Sequence, residues 1–502
     1  MKKFTKALCF SLVAATVGVS MTGCGGGGGK TSSDAPGGMI GEDATLTLTI
    51  NENATEEVVF EYLDAGFGDD PYIAIANGYM AKNPNVQIVL YPNVEIRETL
   101  NNTITSNTNI SDIYSYPFEN PIKTWSALGY VEDISDVLGM QTEDGRTVRE
   151  SMTGSAADSV RVGDKVYAIP EYTSITGFVY NKGLFEQYGW KIPNTTKELE
   201  ELCKKIIADT NGAVNPITWC LDADGYLYFA TENWISQSAG LERMQKFYQY
   251  ESKDIYALED SNPGSLYSAK KNAIENLKKF FLPSSEYVYD DSSTEHFMNA
   301  QRKILSGECA MMVNGSWFEN EMYMDMQQPA YKNAKIGLFA VPEMTDDNGE
   351  TIRMAGNNDT KRTLTASYGS FYFIPTAAGN KQGAKDFLVY LSSKEACELY
   401  TQYANAIRPF DYDYSTTSEL YGKVSEFGKS VLQISSDFNL YAPVSLNPIA
   451  MYGASLWLHD SGRIENAIMR DKGLKAADAY LKSDKDTADA KWDKWVAESQ
   501  GK

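Results

Sequence analysis

An α/β fold spread over more than one domain is what the sequence predicts, and three observations predict it. Strand-like runs rich in Val, Ile and Phe alternate with a helical stretch between residues 57 and 90. Later apolar runs close on proline, which cannot donate to a ladder. The length of 502 residues exceeds one domain of ~100–200 residues, so two or three domains are expected.

Taken in order, Thr45-Leu46-Thr47-Leu48-Thr49-Ile50 alternates strictly and reads as a strand. Glu57 to Leu63 is a second strand, ending at Asp64-Ala65-Gly66-Phe67-Gly68, where glycine frees the backbone to turn. A helical stretch from Pro71 to Asn83 leads to Pro84, and Val86 to Leu90 is a strand; this βαβ rhythm implies a largely parallel sheet. Ile110 to Tyr116, Val166 to Pro170 and Gly177 to Tyr180 are further strands, with a short helix from Trp125 to Gly129. Thr195 and Glu198 form a capping box ahead of Leu199, Leu202, Ile206 and Ile207 at helical spacing, and Asn211-Gly212 ends that helix. Gly307 to Val313, Lys335 to Pro342 and Phe371 to Pro375 are strands, while Ala384 to Leu391 and Glu395 to Tyr403 are helical. From Ala476 a charged, alanine-rich helix carries Trp492 and Trp495 three apart, a spacing that docks an aromatic face.

The first residues are a targeting segment rather than part of a domain. Lys2, Lys3 and Lys6, the apolar run Ala7 to Val19, and the small residues before Cys24 make a secretory signal peptide. Thr22-Gly23-Cys24 resembles the lipobox of bacterial lipoproteins, with Met21 in place of the usual leucine; the resemblance implies lipidation of Cys24. Gly25 to Gly29 then forms a flexible tether. Gly29-Lys30-Thr31 mimics the end of a phosphate-binding loop, but its opening glycine would fall at Cys24 and no strand precedes it, so that reading is rejected. Later residues contain no run of ~18 apolar positions that would span a membrane.

Composition narrows the chemistry. A net charge of −22 repels phosphates and argues against a nucleic-acid partner. Only His296 and His459 are present, without GxSxG or HExxH, which argues against the common hydrolases and histidine metal sites. Cys203, Cys220, Cys309 and Cys397 include no CxxC pair; Cys203 and Cys220 are either a disulfide or buried free thiols. The 32 Tyr and 8 Trp mostly belong in a core, yet both residue types suit a wet recognition cleft.

Four ordered segments carry a family resemblance. Asn83-Pro84-Asn85-Val86 with Ser111-Asp112-Ile113 is the first. Gly163-Asp164-Lys165-Val166-Tyr167-Ala168-Ile169-Pro170 with Tyr180-Asn181-Lys182-Gly183-Leu184-Phe185 is the second. Leu305-Ser306-Gly307-Glu308-Cys309-Ala310-Met311-Met312-Val313-Asn314-Gly315-Ser316-Trp317 is the third, and Ala384-Lys385-Asp386-Phe387-Leu388 with Tyr390-Leu391-Ser392-Ser393 the fourth. Together they resemble the extracellular solute-binding proteins of ABC importers, the group that includes maltose-binding protein. Ser111 replaces the usual proline, Gly183 replaces the usual acidic residue, residues 240–295 match nothing in the pattern, and the loop Glu343 to Thr365 is long for it.

The resemblance implies a two-lobed, type II periplasmic-binding-protein-like fold with hinge strands and a cleft between the lobes. It divides the chain into a signal peptide at 1–23, a tether at 24–43, a first lobe at 44–172 with 340–408, and a second at 173–339 with 409–502. It implies capture of a small solute, an oligosaccharide, by lobe closure and delivery to the transmembrane subunits of a permease. The expected state is a monomer held to the outer face of a membrane by its lipid, without cofactor, metal or catalysis.

Sugar C–H faces pack on aromatic rings and hydroxyls want fixed acceptors, so cleft aromatics and carboxylates are the candidates. Trp317 matches the family tryptophan after Asn-Gly that stacks on the ligand in sugar-binding members; core packing is the plainer alternative. Tyr172 follows the first hinge strand. Asp64 ends the strand before Gly66 and either accepts hydroxyl protons or caps the turn. Tyr116 and Glu119 lie just past the Asp112 strand. Trp219 and Asp224 flank an Asp-x-Asp-Gly run without EF-hand spacing, which favours a turn. Tyr368 precedes the Phe371 strand, and Arg408 lies near a lobe crossing, where an ion pair is the alternative. A binding protein for a non-sugar solute remains open. So does a surface polysaccharide-degrading enzyme using carboxylates such as Glu119 and Asp224, though nothing in the sequence pairs them.

Overall fold

The computed structural model describes residues 46–220, 226–458, 463–470 and 473–501. Cys24 with its leader and glycine tether, Asp224 and His459 lie outside them. In chain order the strands are β1 (Glu56–Tyr62), β2 (Val86–Pro92), β3 (Ile113–Tyr116), the hairpin β4 (Arg161–Val162) and β5 (Lys165–Val166), β6 (Ile169–Ser174), β7 (Thr176–Asn181), β8 (Asn215–Thr218), β9 (Cys309–Gly315), β10 (Ile336–Phe339), β11 (Thr363–Thr365), β12 (Ser367–Phe373) and β13 (Asn439–Tyr441).

The first lobe is built on a sheet ordered β2-β1-β3-β12-β6. β1 runs parallel to β2 and β3, because helices α1 (Asp70–Lys82) and α2 (Ile96–Ser106) return the chain across the sheet. β12 is antiparallel to both of its neighbours, so the sheet is mixed, with β2, β1, β3 and β6 running one way and β12 the other. Its direction differs because it enters from the other lobe and not through a crossover helix. The second sheet, ordered β10-β7-β9-β8, is also mixed.

Ile175 alone separates β6 from β7, so one extended segment leaves the first sheet and enters the second. β11 leads back through Ala366 into β12 and pairs in parallel with β13, Thr363 opposite Asn439. The run 340–362, expected in the first lobe, instead packs in the second: Val341, Met344 and Met354 join its core, and Trp234 Nε1 donates to the Pro342 carbonyl at 3.0 Å. The last crossing follows Tyr412, whose hydroxyl still pairs with Thr401 of the first lobe at 2.7 Å. Apolar packing is continuous through the hinge, from Phe60 through Ile175 and Ile407 to Ile336 and Leu338. Each such side chain contributes about 1.5–3 kcal/mol on burial, so the hinge is held by core as well as by backbone.

Residues 46–50 form no strand. Their alternation is met differently: the Thr49 N–H donates to Asn77 Oδ1 at 2.8 Å and the Asn51 N–H to Gln87 Oε1 at 2.7 Å, so side chains replace a ladder. Residues 240–295 supply helices of the second lobe, among them Tyr267–Phe281, whose Ala273, Ile274, Leu277, Phe280 and Phe281 are buried. The C-terminal helix Ala477–Ser499 docks Trp492 and Trp495 on this lobe, Trp492 6.4 Å from the Tyr256 ring. Cys203, Cys220, Cys309 and Cys397 are all buried, and Cys203, Cys309 and Cys397 are free thiols.

Candidate ligand-binding cleft

Trp317 is positioned by the end of β9. Asn314 and Gly315 close the strand, and the Ser316 N–H donates to the Ile175 carbonyl at 2.9 Å, which ties the turn to the hinge. The indole is half-buried, 5.6 Å from Phe229 and 5.9 Å from Tyr226. Those rings stand at the start of the helix Leu227–Ala239, and Glu232, one turn beyond Phe229, shares their face. The second-lobe wall is thus an aromatic platform leading to a carboxylate.

The opposing wall comes from the ends of the first-lobe strands. Tyr172 on β6 lies opposite Gly369 of β12, and its ring meets the Phe67 ring edge-on at 4.8 Å. Tyr368 is half-buried, with its hydroxyl 3.4 Å from Ser155 Oγ. Tyr116 is largely buried beneath Phe118, ring centroids 5.7 Å apart. Glu119 opens helix α3 (Glu119–Ala127) and pairs with Lys123 at 3.2 Å. Asp64 follows β1, half-buried near the Gly66 turn.

Between these walls lies a recess of 370 Å³ lined by Phe118, Glu119, Glu232, Tyr248, Tyr368 and Phe371. It shares Glu119 and Asn120 with a wider groove of 810 Å³ that runs along α3 toward Arg161, Leu446 and Met451. Both volumes fall in the range of small-molecule sites, about 300–1,000 Å³. A third groove, 460 Å³, lies on the second lobe against Glu200 and Asn272; among the described residues no aromatic side chain lines it.

Burial pushes Glu232 up to about 7, and the nearby Glu465 charge adds to the rise while Arg463 opposes it. Burial likewise raises Glu321 to about 6, against a hydrogen bond from Gln301 and the charge of Arg97. Arg97 also opposes the rise of the Tyr116 and Tyr172 hydroxyls, so its guanidinium is felt on both walls. A two-lobe contact lies beside Trp317: Asn320 Nδ2 donates to the Phe67 carbonyl at 3.2 Å and to the Tyr403 carbonyl at 2.9 Å.

The structure therefore places Glu119 and Tyr368 in the lining of the recess, while Trp317, Tyr172, Asp64 and Tyr116 are not among its lining residues. Two expectations are corrected. Trp219 is 1% exposed in the second-lobe core, because β8 ends there against Ser292 rather than at the cleft. Arg408 is also 1% exposed; its Nε donates to the Glu171 carbonyl at 2.7 Å and Nη1 to the Leu391 carbonyl, so it braces the hinge from inside. Arg97, Phe118, Phe229, Glu232 and Tyr248 were not anticipated. Phe229 and Glu232 carried a signal in their helical spacing.

Two α/β lobes joined by hinge strands, with a recess between them, define a type II periplasmic binding fold. The chain belongs to the bacterial extracellular solute-binding proteins, whose family profile matches residues 55–396. Membership places its work outside the cytoplasm. Among the described residues no helix is long and apolar enough to cross a membrane. The multiple sugar-binding protein of Streptococcus mutans is 21% identical over 379 residues, 72% of this chain and 79% of its own length. The diacetylchitobiose binding protein NgcE of Streptomyces coelicolor is 23% identical over 377 residues, 74% of this chain and 73% of its own. Both relatives are binding proteins rather than enzymes. The crystal structure of apo RafE from Streptococcus pneumoniae shares the fold, with TM-score 0.59 and 16% identity, covering 86% of this chain and 97% of that one.

Proposed function

We propose that this chain is the substrate-binding lipoprotein of an ABC importer, and that it captures an oligosaccharide by closing its lobes and delivers it to a membrane permease. The single observation that carries the sugar reading is the pairing of flat rings with carboxylates in one recess: Phe118, Tyr248, Tyr368 and Phe371 line it together with Glu119 from one lobe and Glu232 from the other. Rings take the C–H faces of a pyranose and carboxylates take its hydroxyls. The names of the two relatives support the same class of ligand.

Closure follows from where contacts can form. A ligand touching only one lobe gains nothing from a hinge motion; one touching both stabilises the closed form by the difference. The bond itself is left alone, since the task is release to a permease. Trp317, Tyr172, Asp64, Tyr116, Glu119 and Tyr368 are the proposed contacts, joined by Phe229 and Glu232. Cys24 is the proposed lipid-bearing residue, and the protein works as a monomer on its tether.

A thermal-shift screen over oligosaccharides tests the reading, because ligand held only by the folded state raises the melting temperature. At least one oligosaccharide should do so and shrink the radius of gyration in solution scattering. A screen in which only peptides or other non-sugar solutes raise it would replace the ligand class. Release of Cys24→Ala protein into the medium, with wild type retained on cells, tests the anchor.

A further inference from the structure

We propose that the recess between Glu119 and Glu232 is a selectivity subsite that seats an uncharged sugar unit and turns away a uronate; this rests on the carbohydrate reading above. Each lobe contributes one carboxylate to the recess, and among the described residues that line it there is no lysine or arginine. Phe118, Tyr248, Tyr368 and Phe371 supply its aromatic faces, and Asn120, Thr365 and Ser367 its neutral polar groups, so a sugar carboxylate placed inside would meet like charge with no cation in the described lining to offset it.

The surrounding cations stand outside the lining: Arg97 lies behind Phe118, its guanidinium 5.9 Å from the centre of that ring. Lys123 pairs with Glu119 at 3.2 Å and lines the wider groove, not the recess. Arg161, in the same groove, pairs with Asp158 at 3.0 Å. Arg463 stands 3.4 Å from the centre of the Tyr228 ring and offsets Glu232 only in part, since buried Glu465 adds a second negative charge there. Charge selection is therefore local to the recess, and the outer groove with its paired cations does not share it. Carboxylates facing a neutral pyranose accept hydroxyl protons, and a carboxylate presented by the ligand offers none. Burial of the recess on closure strengthens that repulsion, because charges separated from water are screened less.

The test is a thermal-shift screen at pH 8 on the full mature chain with three panels. One holds neutral malto-, xylo-, cello- and chitin-oligosaccharides. The second holds oligogalacturonides, every unit of which carries a carboxylate. The third holds chitosan oligomers, every unit of which carries an amine. The expected result is a shift with a neutral oligosaccharide and none with the galacturonides. A galacturonide shift as large as the best neutral one overturns the subsite and leaves the carbohydrate reading standing; a shift with chitosan oligomers alone does the same. No shift with any panel overturns the carbohydrate reading itself and the subsite with it. Calorimetry with the best neutral ligand then places Glu232: Glu232→Ala should weaken binding at least tenfold while the unliganded melting temperature does not fall. Equal affinity in that variant removes Glu232 from the subsite and overturns the proposal.

Discussion

The indole of Trp317 folds back across Gly315, so closely that a Cβ on the glycine would stand 2.2 Å from the ring. No side chain fits there without moving the tryptophan. Gly315→Ala should therefore swing the ring off its place beside Phe229 and weaken the captured oligosaccharide about tenfold, or about 1.4 kcal/mol. Trp317→Ala should cost at least as much, and the double variant no more than the worse single one, since both act through the same ring. Titration calorimetry reads all three. Wild-type affinity in Trp317→Ala would take the ring out of the site.

Asn320 joins the lobes next to that ring. Its side-chain amide donates to the carbonyls of Phe67 and Tyr403, both in the first lobe, while its backbone belongs to the second-lobe turn Phe318–Glu321. Asn320→Ala removes both bonds and leaves the carbonyls without that donor. At about 1 kcal/mol for each bond, the unfolding free energy should fall by about 2 kcal/mol. The unliganded chain should also show a larger radius of gyration, because the lobes lose a tether. An unchanged scattering profile with lowered stability would make Asn320 a local packing residue only.

Much of this body was legible in the sequence. β1, α1, β2 and β9 announced themselves because their side chains bury on one face or two, and burial imposes a period. Residues 46–50 misled for the same reason: the alternation is real, but these residues find side-chain amides of Asn77 and Gln87 instead of a neighbouring strand. The cleft was half legible. Trp317 follows a strand end that a motif marks and Tyr172 lies on the strand that another marks, whereas the meeting of Glu119 and Glu232 depends on how two lobes face each other, which no local pattern encodes. Arg408 shows the converse, because an arginine beside a proline reads the same in a cleft and in a core.

Arg408 should accordingly behave as a brace. Its guanidinium stacks 5.4 Å from the Tyr372 ring and 5.1 Å from the Phe410 ring, and its charge offsets the buried Glu171 carboxylate, which also accepts from the Tyr72 hydroxyl at 2.6 Å. Arg408→Ala removes that charge and the donors to the buried Glu171 and Leu391 carbonyls, at about 1.5–3 kcal/mol for each charged hydrogen bond. Urea unfolding should show a lower midpoint with an unchanged slope. Loss of ligand affinity at undiminished stability would point instead to direct ligand contact.

Glu319 gives a pH dependence of unusual sign. It sits between Trp317 and Asn320, accepts from Ser425 Oγ at 2.5 Å and from Asn405 Nδ2 at 2.9 Å, and burial lifts it from 4.5 to about 7. A carboxyl that binds its proton more tightly when folded stabilises the fold most below its unfolded value. That contribution declines as pH rises through the window from 4.5 to about 7, and above it only the cost of the buried charge remains. Glu232 and Glu321 titrate in the same window, so wild type alone cannot isolate the effect. Comparison with Glu319→Gln does, because the amide keeps an acceptor for Ser425 and Asn405 and never ionises. The melting temperature of the variant should rise relative to wild type between pH 5 and pH 8, with the difference changing steadily across the window. Parallel curves over that range would mean that Glu319 keeps an ordinary carboxylate in the folded chain.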